Sequence, residues 1–346
     1  MPDRTQLADT FLAGTDWADS TRTLLAGDAS NRRYDRLHRP DGSTAVLMDA
    51  PPEKGEETQP FVTIAEHLTG LGLSAPRILA RDTDQGFLLI EDLGDDLFVR
   101  VLRDAPADQR DALQMWLYSA ATDMLARLHV APMPDGIAAY DAPLMADLAA
   151  LAYDWYRHAG SAPDADGAQR RAAFREAMFQ LLSAAAPRRR VLILRDVHAE
   201  NLLWLPERRG VAKVGLLDFQ DAMAGHRAYD LVSLLQDARR DVPRALEDAM
   251  IDRFCAQSGL GRTIFETAYR VHAVQRNLRI LGVFARLCLR DGKVHYVDLI
   301  PRVWDNLLSN FSTPALGPIR SMLLSDLPQP TPETLAALRE KCATRR

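Results

Sequence analysis

Cysteine is scarce in this chain of 346 residues: Cys255, Cys288 and Cys342 are all there is. They are odd in number and far apart, so no disulfide framework and no C-x-x-C metal knuckle can be read from them. No apolar run approaches the roughly 18 residues of a membrane-spanning helix. The opening MPDRTQLADTF lacks the pattern of a signal peptide. A reduced, cytoplasmic protein without membrane association is therefore expected. Positive charge is not in excess: 42 Lys and Arg against 47 Asp and Glu leave a net −5, which argues against a nucleic-acid-binding surface. The eight histidines show no metal-ligand spacing, and neither an internal repeat nor a low-complexity block is present. What is there is ordinary for a globular protein, with 47% hydrophobic and 26% charged residues and enough length for a large core.

The informative stretch is 191–221, VLILRDVHAENLLWLPERRGVAKVGLLDFQD. An apolar strand runs into the polar turn RDVHAEN, a second strand follows, and a turn leads to KVGLL and DFQD. Asn201 lies five residues after Asp196, and Asp218 ends the next hairpin arm. This is the D-x-x-x-x-N plus D-F-G spacing of the catalytic and metal loops of kinases. Phosphoryl transfer leaves a protein mainly positioning and charge neutralisation to do. Asp196 suits the proton acceptor for an attacking hydroxyl. Asn201 and Asp218 offer the oxygens that a hard Mg²⁺ prefers. Taken singly, each is also an ordinary turn residue.

LRDVHAENLLW and VGLLDFQDAMAGHRAYDLVSLL resemble the aminoglycoside phosphotransferase/choline kinase superfamily. Within it, these stretches and GDASNRRYDRL, VLMDAPPEKG, FLLIEDLG and VQRNLRILGVFARL are most similar to the anomeric kinases of N-acetylmuramate and N-acetylglucosamine in cell-wall recycling. The resemblance implies an α+β, protein-kinase-like, two-lobed fold. A small β-rich nucleotide-binding lobe would cover residues 1–92, and a larger, mainly helical lobe 93–346. It implies ATP and Mg²⁺ as cofactors and a small sugar as substrate. Two departures stand out. The His that usually precedes the catalytic Asp by two residues is Leu194, and the strand position of the phosphate-binding Lys holds Met48.

In the first lobe, GDASN between two strands occupies the nucleotide-loop position, which puts Asp28, Ala29 and Ser30 near phosphate. Small residues there permit close backbone approach. Arg32, Arg33 and Lys54 are the nearest cations that could replace the lysine. Strand alternation lets only one of the two arginines reach a cleft. In EDLGDDLF the backbone of Glu91 and Leu93 would meet the adenine edge. Residues 3–14, with Leu7, Phe11 and Leu12 on one side, and 61–71 have helical spacing, as does the stripe from Leu113 through Trp116 to Leu128. The resemblance makes Asp230 a brace for the catalytic loop.

Substrate contacts are expected from the helical lobe. His272, Gln275, Arg276 and Arg279 share one face of a helix over 268–289. That face suits a hydroxylated ligand with carbonyl or carboxylate oxygens, unless it is simply a solvated helix face. Gln220 and Asp221, after the metal Asp, and His198 and Glu200, within the catalytic loop, are further substrate candidates. The readings left open are a sugar kinase, an aminoglycoside or other small-alcohol or amine phosphotransferase, and a nucleotide-binding pseudokinase.

Overall fold

The computed structural model describes residues 3–27, 31–159 and 166–345. The chain opens with α1 (Arg4–Ala13), capped by the Asp3 carboxylate on the Thr5 amide. Strands β1 (Thr21–Gly27), β2 (Arg33–His38) and β3 (Thr44–Asp49) follow. Next come α2 (Gln59–Gly70), β4 (Ile78–Asp82), β5 (Phe87–Glu91), α3 (Phe98–Asp104) and α4 (Arg110–Val130). Then come α5 (Ala142–Ala149), α6 (Gly167–Ala184), β6 (Val191–Ile193), β7 (Leu202–Trp204), β8 (Val214–Leu216) and β9 (Met223–Gly225). The chain ends in helices α7 (Ala228–Leu235), α8 (Arg244–Ser258), α9 (Arg262–Leu289), α10 (Ile300–Ser309), α11 (Gly317–Asp326) and α12 (Pro332–Glu340). This is an α+β fold.

Two compact units form: Met1–Gly136 with Ala199–Ala222, and Ile137–His198 with Met223–Arg346. The boundary expected between residues 92 and 93 falls inside the first unit.

The first unit is built on an antiparallel sheet in the order β1-β2-β3-β5-β4. Alternation divides its side chains between two faces. Leu37, Ala45, Leu47, Phe87 and Leu89 pack with Ala8 and Leu12 of α1 and with Trp17. Tyr34, Val46 and Ile90, one residue out of phase, line a cavity on the other face. Strands β7 and β8 form a hairpin in the same unit. It is fastened by Leu216 N to Ser74 O (2.9 Å) and Trp204 N to Asp96 O (2.7 Å). A Cβ on Gly215 would stand 3.0 Å from Leu203 Cβ, so a side chain here would crowd the crossing. Helix α4 follows its predicted stripe except at Trp116, which is 47% exposed and packs on Trp204 at 4.0 Å between ring centroids.

The second unit is organised around α9. Its residues are buried on every side, as in a helix packed through the middle of a core. The face of His272, Gln275 and Arg276 is not solvated, since all three are buried. Helix α5 stops at Ala149, and residues 152–156 widen into a π turn. That turn lies against α9 so closely that a Cβ on Gly282 would fall 2.3 Å from the Leu151 carbonyl carbon. Thr331 caps α12 with Pro332 in its first turn.

Candidate functional site

In the first unit a cavity of about 350 Å³ opens beneath the sheet. Leu25, Val46, Ile90, Leu203 and Leu217 give it apolar walls, and residues 91–95 form one edge. Asn201, Asp218 and Gln220 give it a polar end. Apolar walls with a few convergent polar groups are the usual composition of a small-molecule site. The edge is rigidly held. The Glu91 amide donates to Arg77 O (2.9 Å), and its carboxylate accepts from Arg208 (2.8 Å). Arg36 of β2 pairs with Asp92 (2.7 Å) and Asp95 (2.8 Å). The hydrogen bond Arg36 donates to Asp95 raises the Arg36 pKa and lowers that of Asp95.

At the polar end, Asp218 has a left-handed backbone, φ 55°. Non-glycine residues rarely hold that conformation outside sites where the surroundings enforce it. Asn201 Nδ2 donates to Asp218 Oδ2 (3.3 Å), and Gln220 Nε2 donates to Oδ1 (2.7 Å). Among the described residues no group of three or more His, Cys, Asp or Glu could hold a metal ion. One carboxylate and one amide oxygen nonetheless fit Mg²⁺, which keeps several waters and takes most other ligands from phosphate. Asp218 and Asn201 are the residues that would hold it.

Met48 is fully buried, opposite Tyr34 and Leu88 in the sheet. Arg32 precedes Tyr34 by two residues and pairs with Glu56 at 2.9 Å. Arg33 is 60% exposed in its side chain and pairs instead with Asp35 at 3.0 Å. Lys54 is exposed in a short 3₁₀ turn. Asp28, Ala29 and Ser30 lie outside the described residues. Glu200 and Asp221 are exposed, and neither lines the cavity.

The second unit contains Asp196. Asp230, fully buried at the start of α7, accepts from the amides of Leu194 and Arg195, both at 2.8 Å. These bonds hold Arg195 at φ 72°, the second strained non-glycine residue of the loop region. Leu194, at the position where the family usually has His, is buried. Burial opposes ionisation of Asp196. The charges of Arg279, Arg276 and Arg195 outweigh it, and the carboxyl is held below its usual pKa. His198 is pushed down, first by burial, and is neutral near pH 7.

Helix α9 supplies the flanking cations. Arg279 donates to the Tyr229 hydroxyl (3.1 Å), which accepts in turn from Tyr140 (3.2 Å). Arg276 donates to Ser233 Oγ (2.8 Å). Gln275 Nε2 donates to Met145 O (2.9 Å), so one amide donor expected to face substrate is used inside the core. Tyr140 and Ser233 were not singled out by sequence. Tyr140 sits in a loop 89 residues from its partner, with no local pattern to mark it. Arg36 could have been found, since alternation puts it on the face of Tyr34.

With this geometry in place, the class of the protein is defined. Residues 21–270 match the family model of the phosphotransferase enzyme family, and the chain belongs to that family. It is 39% identical to an N-acetylmuramate/N-acetylglucosamine kinase of Caulobacter vibrioides, across 90% of this chain and 93% of that one. It is 34% identical to a kinase of the same name from Pseudomonas aeruginosa, across 88% of each. Its fold is similar to that of an aminoglycoside 2′-phosphotransferase solved as its GDP complex, with TM-score 0.62 and 14% identity over 90% of this chain and 99% of the other. It is also similar to a Plasmodium vivax ethanolamine kinase, with TM-score 0.59 and 12% identity over 92% and 88%. The protein-kinase-like α+β fold expected from sequence is thus the fold observed. Among the described residues no helix is long and apolar enough to cross a membrane.

Proposed function

We propose that this phosphotransferase moves the γ-phosphoryl group of ATP to the anomeric hydroxyl of N-acetylmuramate and N-acetylglucosamine in the cytoplasm. The observation that carries the reading is the near-full-length likeness to the Caulobacter kinase. The local chemistry supports it. The apolar cavity takes the purine, with its edge at the backbone of Glu91 and Leu93. Asn201 and Asp218 offer oxygens to Mg²⁺, which would neutralise charge on the phosphates. Asp196 is ionised and accepts the proton as the sugar oxygen bonds to phosphorus and ADP leaves. An anomeric hydroxyl is more acidic than an ordinary sugar alcohol, so a carboxylate base is adequate. Asp230 keeps the loop of Asp196 in place.

Arg276 and Arg279 suit the lactyl carboxylate that N-acetylmuramate has and N-acetylglucosamine lacks. Gln220, Asp221, His198 and Glu200 remain candidates for the acetamido and ring hydroxyl groups. The cationic Arg276 and Arg279 disfavour a polycationic aminoglycoside, and the presence of Asp196, Asn201 and Asp218 together disfavours a pseudokinase.

The test is a coupled assay with ATP or GTP on both amino sugars and on kanamycin, with the product position read by phosphorus NMR. Turnover of the amino sugars at C1 is expected. Alanine at Arg276 or Arg279 should weaken N-acetylmuramate over N-acetylglucosamine by about 10- to 100-fold, the worth of one charge-assisted hydrogen bond. Phosphate on C6, or turnover of kanamycin alone, sinks the substrate assignment and leaves the family standing.

A further inference from the structure

Cys288 lies fully buried in the last turn of α9, and Cys342 lies half-buried just beyond α12. Their sulfurs are 2.9 Å apart, although 54 positions separate them in the chain. That is within about 1 Å of a covalent S–S bond. The backbones are already aligned for it. Ala343 N and Arg345 N donate to Cys288 O and Leu289 O, each at 3.0 Å, and the Cys342 thiol contacts Cys288 O at 3.0 Å. Small rotations of the two side chains would complete the approach.

We propose that Cys288 and Cys342 are an oxidation site, joining as a reversible disulfide that staples the C-terminal segment to the end of α9 when the protein meets a peroxide. The proposal stands apart from the kinase reading. Cys342, the more exposed sulfur, takes an oxygen from hydrogen peroxide, becoming a sulfenic acid and releasing one water. The Cys288 sulfur then displaces that oxygen, which leaves with the Cys288 proton as a second water. Two thiols and one peroxide thus give one disulfide and two waters. Burial and the hydrogen bond to Cys342 push the Cys288 thiol up to about 12, consistent with Cys342 reacting first. Thiolates are the reactive form, so the second step is slow and needs the close approach seen here. Cys255, buried in α8 without a neighbouring thiol, serves as an internal control.

The experiment treats the reduced full-length protein with hydrogen peroxide. Thiols are counted after denaturation, peptides are mapped by mass spectrometry, and melting is followed with and without dithiothreitol. Expected are one remaining thiol, at Cys255, a cross-linked 288–342 peptide pair, and a melting temperature higher by roughly 5–10 °C that reductant reverses. Cys255→Ser should keep the effect. Because Cys288 is fully buried and its loss can itself destabilise the fold, the half-buried Cys342→Ser is the decisive variant and should abolish the shift. Three intact thiols, an oxygen adduct on Cys342 without a cross-link, or an equal melting shift in Cys342→Ser would each overturn the proposal.

Discussion

Asp196 and Asp218 should come apart under mutation. Asp196→Asn keeps the shape but cannot take a proton, so kcat should fall by about 10²–10⁴-fold with nucleotide affinity intact. Asp218→Asn should instead lose the strengthening of nucleotide binding by Mg²⁺, read by titrating a fluorescent ATP analogue with and without the metal. Near-normal turnover in Asp196→Asn would remove it as the base. The cation replacing the missing lysine is the other question at this scale. Arg32 precedes β2, two residues before Tyr34, which lines the cavity, and is anchored by Glu56. Arg33 points with Asp35 and Leu37 toward the other face. Arg32→Gln should raise the KM for ATP about tenfold, as the loss of a charged hydrogen bond would. Arg33→Gln should leave it unchanged, and equal effects would refute the distinction.

At the scale of elements, α9 sets the pH response. His272 is fully enclosed, its ring bonded to Ala268 O at 2.8 Å and stacked on His226 at 4.4 Å. Burial pushes its pKa down from 6.5 to about 4. Between these values the unfolded chain binds a proton that the folded one refuses, so stability is complete above the unfolded value and falls as pH drops toward the folded one. His272→Asn should lose about 2–3 kcal/mol less between pH 7 and 4.5 than the parent in urea melts. Parallel losses would refute this. The same helix shows where sequence reading stops. Its extent and its Arg276–Arg279 face followed from spacing. Its burial on all sides did not, because charged residues at helical intervals look the same whether they face water or Ser233 and Tyr229. The turn at 191–221 was legible because its polar residues have fixed offsets. Cys288 and Cys342 were not paired, because only tertiary packing brings α12 to the end of α9.

Over the whole molecule, the two units are discontinuous along the chain. Native-state hydrogen exchange in mild denaturant should show residues 3–136 and 199–222 losing protection together, separately from 137–198 and 223–345. A split near residue 93 would contradict that partition.

The interleaving also bears on biosynthesis. A ribosome releases Tyr140, Tyr156, Phe174 and the strand β6 before the hairpin that completes the first unit has been made. These side chains are buried in the finished core, but α9, against which much of that core packs, follows only after residue 261. For the intervening stretch of translation the nascent chain carries an apolar insert that lacks its main packing partner, α9. Chaperone occupancy should therefore peak while residues 199–289 are being added, and fall once α9 is free to fold.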